Sequence, residues 1–388
     1  MRKVYLDYSA TTPIDPKVVE SMITAFGTCF GNASSVHSFG RDARTLLEQS
    51  RERIARAFGA RSDEIYFTSG GTESDNHAMK GMALAAFRRG KSEILIAPVE
   101  HHAVLHPAES LRKAGFDVKF LAVDSYGRVD PSTVKKGVTP KTALVSVMHV
   151  NNEVGTINDV CSIGAFLRES EIPFHSDIVQ AVGKTEINLN EMNVDAASIS
   201  AHKFYGPKGI GAIYIRKGTA IDSFMEGGAQ ESNRRAGTEN VPLAAGFAAA
   251  SDLIKESLST EQARVSDLKQ MLKARLQQEF EGILFNGHPN ECVPHILNVS
   301  FDSNVCLIDG DALIMGLDLL GVAVTSGSAC TSGSLQPSHV LRAMGRDEKT
   351  ARATVRFSIG RYTTEDDVNY AVECLREVVG KIRKSVTK

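Results

Sequence analysis

The sequence has no long apolar run, no excess of charge of one sign and no paired cysteines. The longest soft apolar stretch runs from Val241 to Ala250 and stops at Asp252, too short to span a bilayer. The opening residues, Met1-Arg2-Lys3-Val4-Tyr5-Leu6-Asp7, lack the apolar core of a signal peptide. A cytoplasmic protein with no membrane association is the expectation. Lys and Arg number 44 against 46 Asp and Glu, a net charge of −2, so no global basic field points to nucleic acid. Locally, Arg51, Arg53 and Arg56 share a helical stretch with Glu48 and Glu52 and read as a solvated face. The six cysteines are Cys29, Cys161, Cys292, Cys306, Cys330 and Cys374. They form no C-x-x-C pair and stand far apart, which signals neither a zinc module nor a disulfide framework. Most are expected to be buried, inert thiols.

What is present is an ordinary globular composition, with 42% hydrophobic and 23% charged residues. The 388 residues predict roughly two or three domains. Short apolar strands are predicted at Glu64–Thr68, Glu93–Ala97, Val118–Val123, Ala143–Val147, Pro173–His175, Ala196–Ser200 and Gly211–Ile215. Amphipathic helices alternate with them. The clearest runs from Thr72 to Phe87, opened by the capping-box pattern Thr72-Glu73-Ser74-Asp75. This alternation predicts an α/β domain on a mostly parallel sheet. A long helix is predicted from about Pro242 to Glu279, broken near Ser257–Thr260. Beyond it, strands at His295–Phe301, Val322–Ser326 and Thr354–Ile359 mix with helices at Gly310–Leu320, Ser338–Ala343 and Glu365–Lys384. That pattern predicts a second, smaller α+β domain and a cleft between the two. There is no internal repeat.

Ligands of open α/β sheets collect beyond the carboxyl ends of the strands. The residues that follow the predicted strands are Ser69-Gly70-Gly71-Thr72, Glu100-His101-His102, His149-Val150-Asn151-Asn152-Glu153, Asp177 with Gln180, and His202-Lys203. Ser-Gly-Gly-Thr before a helix is either a tight turn or a phosphate nest, in which amides and the helix dipole face an anion. It is no Walker loop, because no Gly-Lys-Ser/Thr follows. His101, His102 and His106 lack carboxylate support for a metal, and no metal site is expected. A histidine stacked on an aromatic ligand, or a plain core histidine, is the alternative. Asp177 is either an N-cap or a partner for a protonated ring nitrogen. Lys203 lies between an apolar strand and Gly206-Pro207-Lys208-Gly209, where burial would lower its pKa and make it an amine nucleophile. Lys208 is its competitor and reads as surface. Together, a phosphate nest, a ring-stacking histidine, a ring-nitrogen carboxylate and a reactive lysine are what pyridoxal phosphate requires.

With these residues in hand, the chain resembles the pyridoxal-phosphate-dependent cysteine desulfurases of the NifS/IscS type, class-V aminotransferases of fold type I. The likeness runs through Tyr5-Leu6-Asp7, Phe67-Thr68-Ser69-Gly70-Gly71-Thr72-Glu73-Ser74-Asp75-Asn76 and Glu100-His101-His102-Ala103-Val104. It continues through His149-Val150-Asn151-Asn152-Glu153, Ser200-Ala201-His202-Lys203, Arg235-Ala236-Gly237-Thr238, Ser326-Gly327-Ser328-Ala329-Cys330 and Arg356-Phe357-Ser358-Ile359-Gly360-Arg361. The order of all these pieces makes the resemblance specific. It implies a large cofactor domain, 13–255, with a mostly parallel seven-stranded sheet. A smaller α+β domain, 1–12 with 256–388, would carry a catalytic cysteine loop.

The resemblance also implies roles. Lys203 would bond the cofactor aldehyde, His101 would stack on the ring and move protons, and Asp177 would face the ring nitrogen. Gln180 and Asn152 would lie at the phenolate oxygen. Gly71, Thr72, Ser200 and His202 would contact the phosphate, and Thr238 would reach it from a second subunit, hence a homodimer. Arg356, with Asn152, would hold the substrate carboxylate. Cys330 would be the sulfur-accepting nucleophile. The small, polar, glycine-bearing run Thr325–Ser334 independently suits an accessible, reactive thiol. The implied activity converts L-cysteine to L-alanine and passes persulfide sulfur to an iron–sulfur scaffold or another sulfur acceptor. A selenocysteine lyase or another fold-type-I enzyme is the alternative. Gly71 departs from a frequent alanine, and Tyr8-Ser9 from Asn-Ala; neither carries a reactive group.

Overall fold

The computed structural model describes residues 2–327 and 336–386. Its largest sheet has seven strands, in the order Ile65–Thr68, Gly211–Ile215, Ala196–Ser200, Phe174–Asp177, Thr142–Ser146, Glu93–Ile96 and Asp117–Phe120. Every pairing is parallel except the two made by Gly211–Ile215, which runs antiparallel to both neighbours. Six of these strands are buried at every position, because both faces are covered; Asp117–Phe120, at the edge, is largely exposed. Ile94 and Ile96 join the cluster beneath the helices Gly71–Phe87 and His102–Lys113, while Leu95 and Ala97 face the opposite side. Ile213 and Ile215 divide from Ala212 and Tyr214 in the same way. That period of two places one layer of helix on each face. The second layer includes Pro16–Thr28, Ser38–Ala57, Val160–Glu169 and the first part of Val241–Glu279.

All seven predicted strands form, and those at Ala196–Ser200 and Gly211–Ile215 have the predicted ends. Three local readings are corrected. The helix after Ser69 starts at Gly71, with Gly70 as a cap that makes no side-chain bond. Thr72 therefore caps nothing, and it is Glu73 that reaches back to the Ser69 N–H. The long helix is one unbroken element of 39 residues. Ser257 and Thr260 are weak helix formers, but without Gly or Pro the backbone bonding continues, and Ser257 Oγ donates to Leu253 O at 2.8 Å. Arg51 is not solvated. It is buried against Glu231, with Nη1 at 2.6 Å and Nη2 at 2.8 Å, and Nη1 also donates to Ile65 O at 2.8 Å.

A further core cluster gathers Val4 and Leu6, the second part of the long helix from Val265 to Leu276, and residues from Leu297 to Ile382. A three-stranded antiparallel sheet supports it, in the order Thr354–Ser358, Ile296–Phe301, Ile283–Phe285. Val4–Tyr5 pairs in parallel with Val322–Ala323. The chain then runs on through Asp7, which bridges to Ser358, and Thr12, whose N–H donates to His202 O. This N-terminal segment therefore passes between the antiparallel sheet and the carboxyl edge of the large one.

Candidate active site

The strand ends and the N-terminal segment enclose a cavity of about 330 Å³. It is lined by Gly71, Thr72, His101, Asn152, Asp177, Gln180, Ser200, His202, Lys203 and Arg356. These are all the expected site residues within the described chain except Thr238, which is exposed on the segment after Gly237 and does not line the cavity. Cys330 lies outside the described residues, while Thr325 and Gly327 close the near side. Lys208 is exposed, so Lys203 is the lysine of the site. Asp7, Ser9, Ala10, Asp75, Met148 and Val179 also line it and were not singled out. Asp7 and Asp75 lie inside the matched segments, which was the one available signal.

Lys203 follows the strand Ala196–Ser200 in a single 3₁₀ turn. Its Nζ donates to Ser9 O at 2.7 Å and Ala10 O at 2.9 Å. Burial, and then the Arg356 guanidinium, push its pKa down to about 8. Asp177 ends the strand Phe174–Asp177 and accepts the Val179 N–H on Oδ1 at 2.8 Å. Burial raises its pKa to about 6, opposed by the Val179 N–H and by Lys203. Gln180 donates from Nε2 to Ser9 O at 2.8 Å, so Ser9 O ties lysine and glutamine together.

His101 caps the helix His102–Lys113, its Nδ1 accepting the Ala103 N–H at 3.1 Å. That bond places the proton of the neutral ring on Nε2. Burial and then Lys203 hold its pKa down at about 4, so the ring is neutral at physiological pH. His102 does not join it as a metal ligand. Its ring stacks on His106 at 4.9 Å and lies 4.8 Å from His339. Among the described residues no three His, Cys, Asp or Glu side chains are grouped to hold a metal ion.

Arg356, on the strand Thr354–Ser358, is buried. Its Nη2 pairs with Asp7 Oδ1 at 2.8 Å and its Nη1 donates to Asn152 O at 2.7 Å. Nε is buried with no partner, a donor kept for an anion.

The residues fit pyridoxal phosphate. Gly70 has φ +153, and a Cβ at Gly71 would meet Val179 Cγ2 at 2.8 Å. The backbone at this helix N-terminus is thus bare of side chain, as a phosphate nest requires. Gly71 in place of alanine follows from the Val179 methyl that fills that space. A buried carboxyl with raised pKa suits a cationic ring nitrogen, and a lysine amine of lowered pKa suits an aldehyde. His202 Nδ1 lies 3.1 Å from Thr11 Oγ1, which orients its ring beside the nest.

A mostly parallel α/β sheet with lysine, carboxylate and histidine at its strand ends defines a pyridoxal-phosphate enzyme of fold type I. The chain belongs to the aminotransferase class-V family, whose model matches residues 4–371. It is 46% identical over 382 residues to a cysteine desulfurase IscS of Dictyoglomus turgidum, covering 98% of this chain and 96% of that protein. The IscS of Anaeromyxobacter dehalogenans is 45% identical over 384 residues, 98% of this chain and 93% of its own. A solved NifS-like protein superposes with a TM-score of 0.90 at 37% identity, over 98% of this chain and 100% of that one.

Proposed function

We infer that this chain is a pyridoxal-phosphate-dependent cysteine desulfurase that converts L-cysteine to L-alanine and carries the sulfur away as a persulfide. The observation that carries the reading is one cavity that faces a half-buried lysine, a buried carboxyl and a buried, partly unpaired guanidinium toward the same space. When bound, pyridoxal phosphate supplies an electron sink for the α-carbon of an amino acid. Lys203 would hold the aldehyde end of the group, and its Nζ would move the proton at the substrate α-carbon. Asp177 holds the negative charge that keeps the ring nitrogen protonated. His101 donates from Nε2, since Nδ1 is held by its own helix. Arg356 takes the substrate carboxylate. The Cys330 thiolate attacks the substrate sulfur, and an S–S bond forms as the Cβ–S bond breaks. The electron pair left on carbon is protonated to give alanine.

The enzyme works as a cytoplasmic homodimer in this reading, and delivers sulfur to an iron–sulfur scaffold or a similar acceptor protein. Thr238 is exposed and does not line the cavity of its own subunit. Ile23, Phe26, Phe30, Val36 and Phe39 are exposed apolar side chains, the kind of surface a second copy covers. Among the described residues no helix is long and apolar enough to cross a membrane.

The test measures alanine and sulfide from L-cysteine with a reductant, in the wild type and in Cys330→Ala. Equal yields of both products, lost in the variant while the yellow cofactor colour stays, support the reading. Alanine or pyruvate formation that survives the substitution overturns the role of Cys330.

A further inference from the structure

Behind Asp177 lies a buried polar group that the desulfurase reading does not use. Asp75, on the helix Gly71–Phe87, lines the same cavity and is about as buried as Asp177. His175 stands two residues before Asp177 on one strand and therefore on the same face. Its Nδ1 lies 2.9 Å from Ser146 Oγ. Its Nε2 lies 3.0 Å from Ser198 Oγ and 3.5 Å from Asp75 Oδ1.

The charged and titratable groups around Asp75 come from every packed element. Asp177 and His175 face it from one strand, and Glu100 from the turn after Glu93–Ile96. Lys203 acts on Asp177. On its own helix, Glu73 turns to Ser69 and Arg235, and His77 turns to Asp222 O. No cation among these serves Asp75. Burial holds His175 down at about 3, so it is neutral. Burial and then Asp177 drive Asp75 far above the usual carboxylate range.

Proton counting points the same way. The Ser198 hydroxyl has one proton, and both His175 Nε2 and Asp75 face it. Asp75 Oδ1 is buried without a hydrogen-bond partner. An ionised Asp75 would leave Oδ1 as a buried charged oxygen with no hydrogen-bond partner, His175 Nε2 lying 3.5 Å off. A proton on Asp75 removes that buried charge without calling for a cation.

We propose that Asp75 is a positioning residue, held as a neutral acid against His175 and Ser198 so that Asp177 alone offers negative charge to the cofactor's ring nitrogen. The proposal rests on the role given to Asp177 above. It differs from the family reading in assigning a function to a second carboxyl of opposite protonation.

The test compares Asp75→Asn, Asp75→Ala, Glu100→Gln and Asp177→Asn. Infrared spectra of the cofactor-free protein at neutral pH are expected to contain protonated-carboxyl bands, one of which disappears in Asp75→Asn and a different one in Glu100→Gln. The dissociation constant for pyridoxal phosphate, and the pH midpoint of its bound absorption, are expected to hold in Asp75→Asn, which keeps a donor. In Asp75→Ala the midpoint should move. Asp177→Asn should weaken binding by about tenfold or more, the worth of one lost charge-assisted bond. If no band is lost in Asp75→Asn, or if that variant weakens binding as much as Asp177→Asn, the proposal is overturned. If Asp177→Asn alone leaves binding and midpoint intact, the role of Asp177 fails, while the infrared result still reports whether Asp75 is protonated.

Discussion

Replacing Arg356 by lysine separates its charge from its geometry. The guanidinium is fixed by Asp7 at 2.8 Å and by Asn152 O at 2.7 Å, and its buried Nε is free to donate. A lysine keeps the positive charge and can still pair with Asp7, but it offers a point charge where the fork offered two parallel donors. One charge-assisted bond to the substrate carboxylate is then lost, worth about 1.5–3 kcal/mol. At about 1.4 kcal/mol per factor of ten, KM for L-cysteine should rise roughly 10- to 150-fold. The carboxylate is held alike before and during the reaction, so kcat should change much less. The assay is sulfide release with a reductant, from L-cysteine across substrate concentration and again from cysteamine, which lacks the carboxylate. Wild type should prefer L-cysteine strongly, and Arg356→Lys should lose most of that preference. Thermal melting of the variant controls for damage to the Asp7 contact. A variant with unchanged KM, reduced kcat and undiminished preference for L-cysteine would refute the carboxylate role.

Two further predictions concern Lys203 and the buried pair Arg51–Glu231. The folded-state pKa of Lys203 is depressed to about 8, so the amine is ammonium below that pH, donating to Ser9 O and Ala10 O, and free above it. Only the free amine adds to an aldehyde, so the rate at which cofactor-free protein turns yellow with pyridoxal phosphate should climb with pH through about 8 and then level. A rise centred near the ordinary lysine value of about 10.4 would contradict the burial argument. Glu231→Gln removes the charge that Arg51 meets at 2.6 Å inside the protein, leaving it the exposed Glu48. Breaking a buried pair from one side costs about 3–5 kcal/mol. Urea unfolding at fixed protein concentration should show that loss, and one below about 1 kcal/mol, the scale of a surface pair, would mean that Arg51 is solvated after all.

The large sheet was legible because its strands carry their own boundaries. Gly211 and Ser200 end apolar runs that cannot be exposed on either face, so the period and the punctuation agree. The site was legible for the same reason. Residues that follow parallel strands must meet at one edge whatever the loops do, and His101, Asp177 and Lys203 meet there. What was misread depends on partners distant in the chain. Arg51 looks like a solvated helix residue until Glu231, 180 positions away, is known to face it. Ser257 looks like a helix break until Arg361, 104 positions on, is placed against it. Thr72 has the pattern of a cap but lines the cavity, because Gly70 already provides the turn.

Charge balance was the least legible property, since a sequence shows ionisable groups and not their protonation. The cavity faces three carboxyls, Asp7, Asp75 and Asp177, with two cations, Lys203 and Arg356. Arg356 is committed to Asp7, and Lys203 acts on Asp177, which leaves Asp75 without a counter-charge. With the Lys203 nitrogen neutral, Asp177 too would lack a cation. A protonated ring nitrogen of a bound cofactor would supply one, provided that Asp75 stays neutral. If Asp75 were ionised, two negative charges would face one cation in a buried space, and the excess charge would have to be neutralised by a proton. The arrangement of these five side chains therefore ties cofactor capture by Lys203, ring protonation by Asp177 and the neutrality of Asp75 into one condition. A change that alters the charge at any of them should be read at the other two.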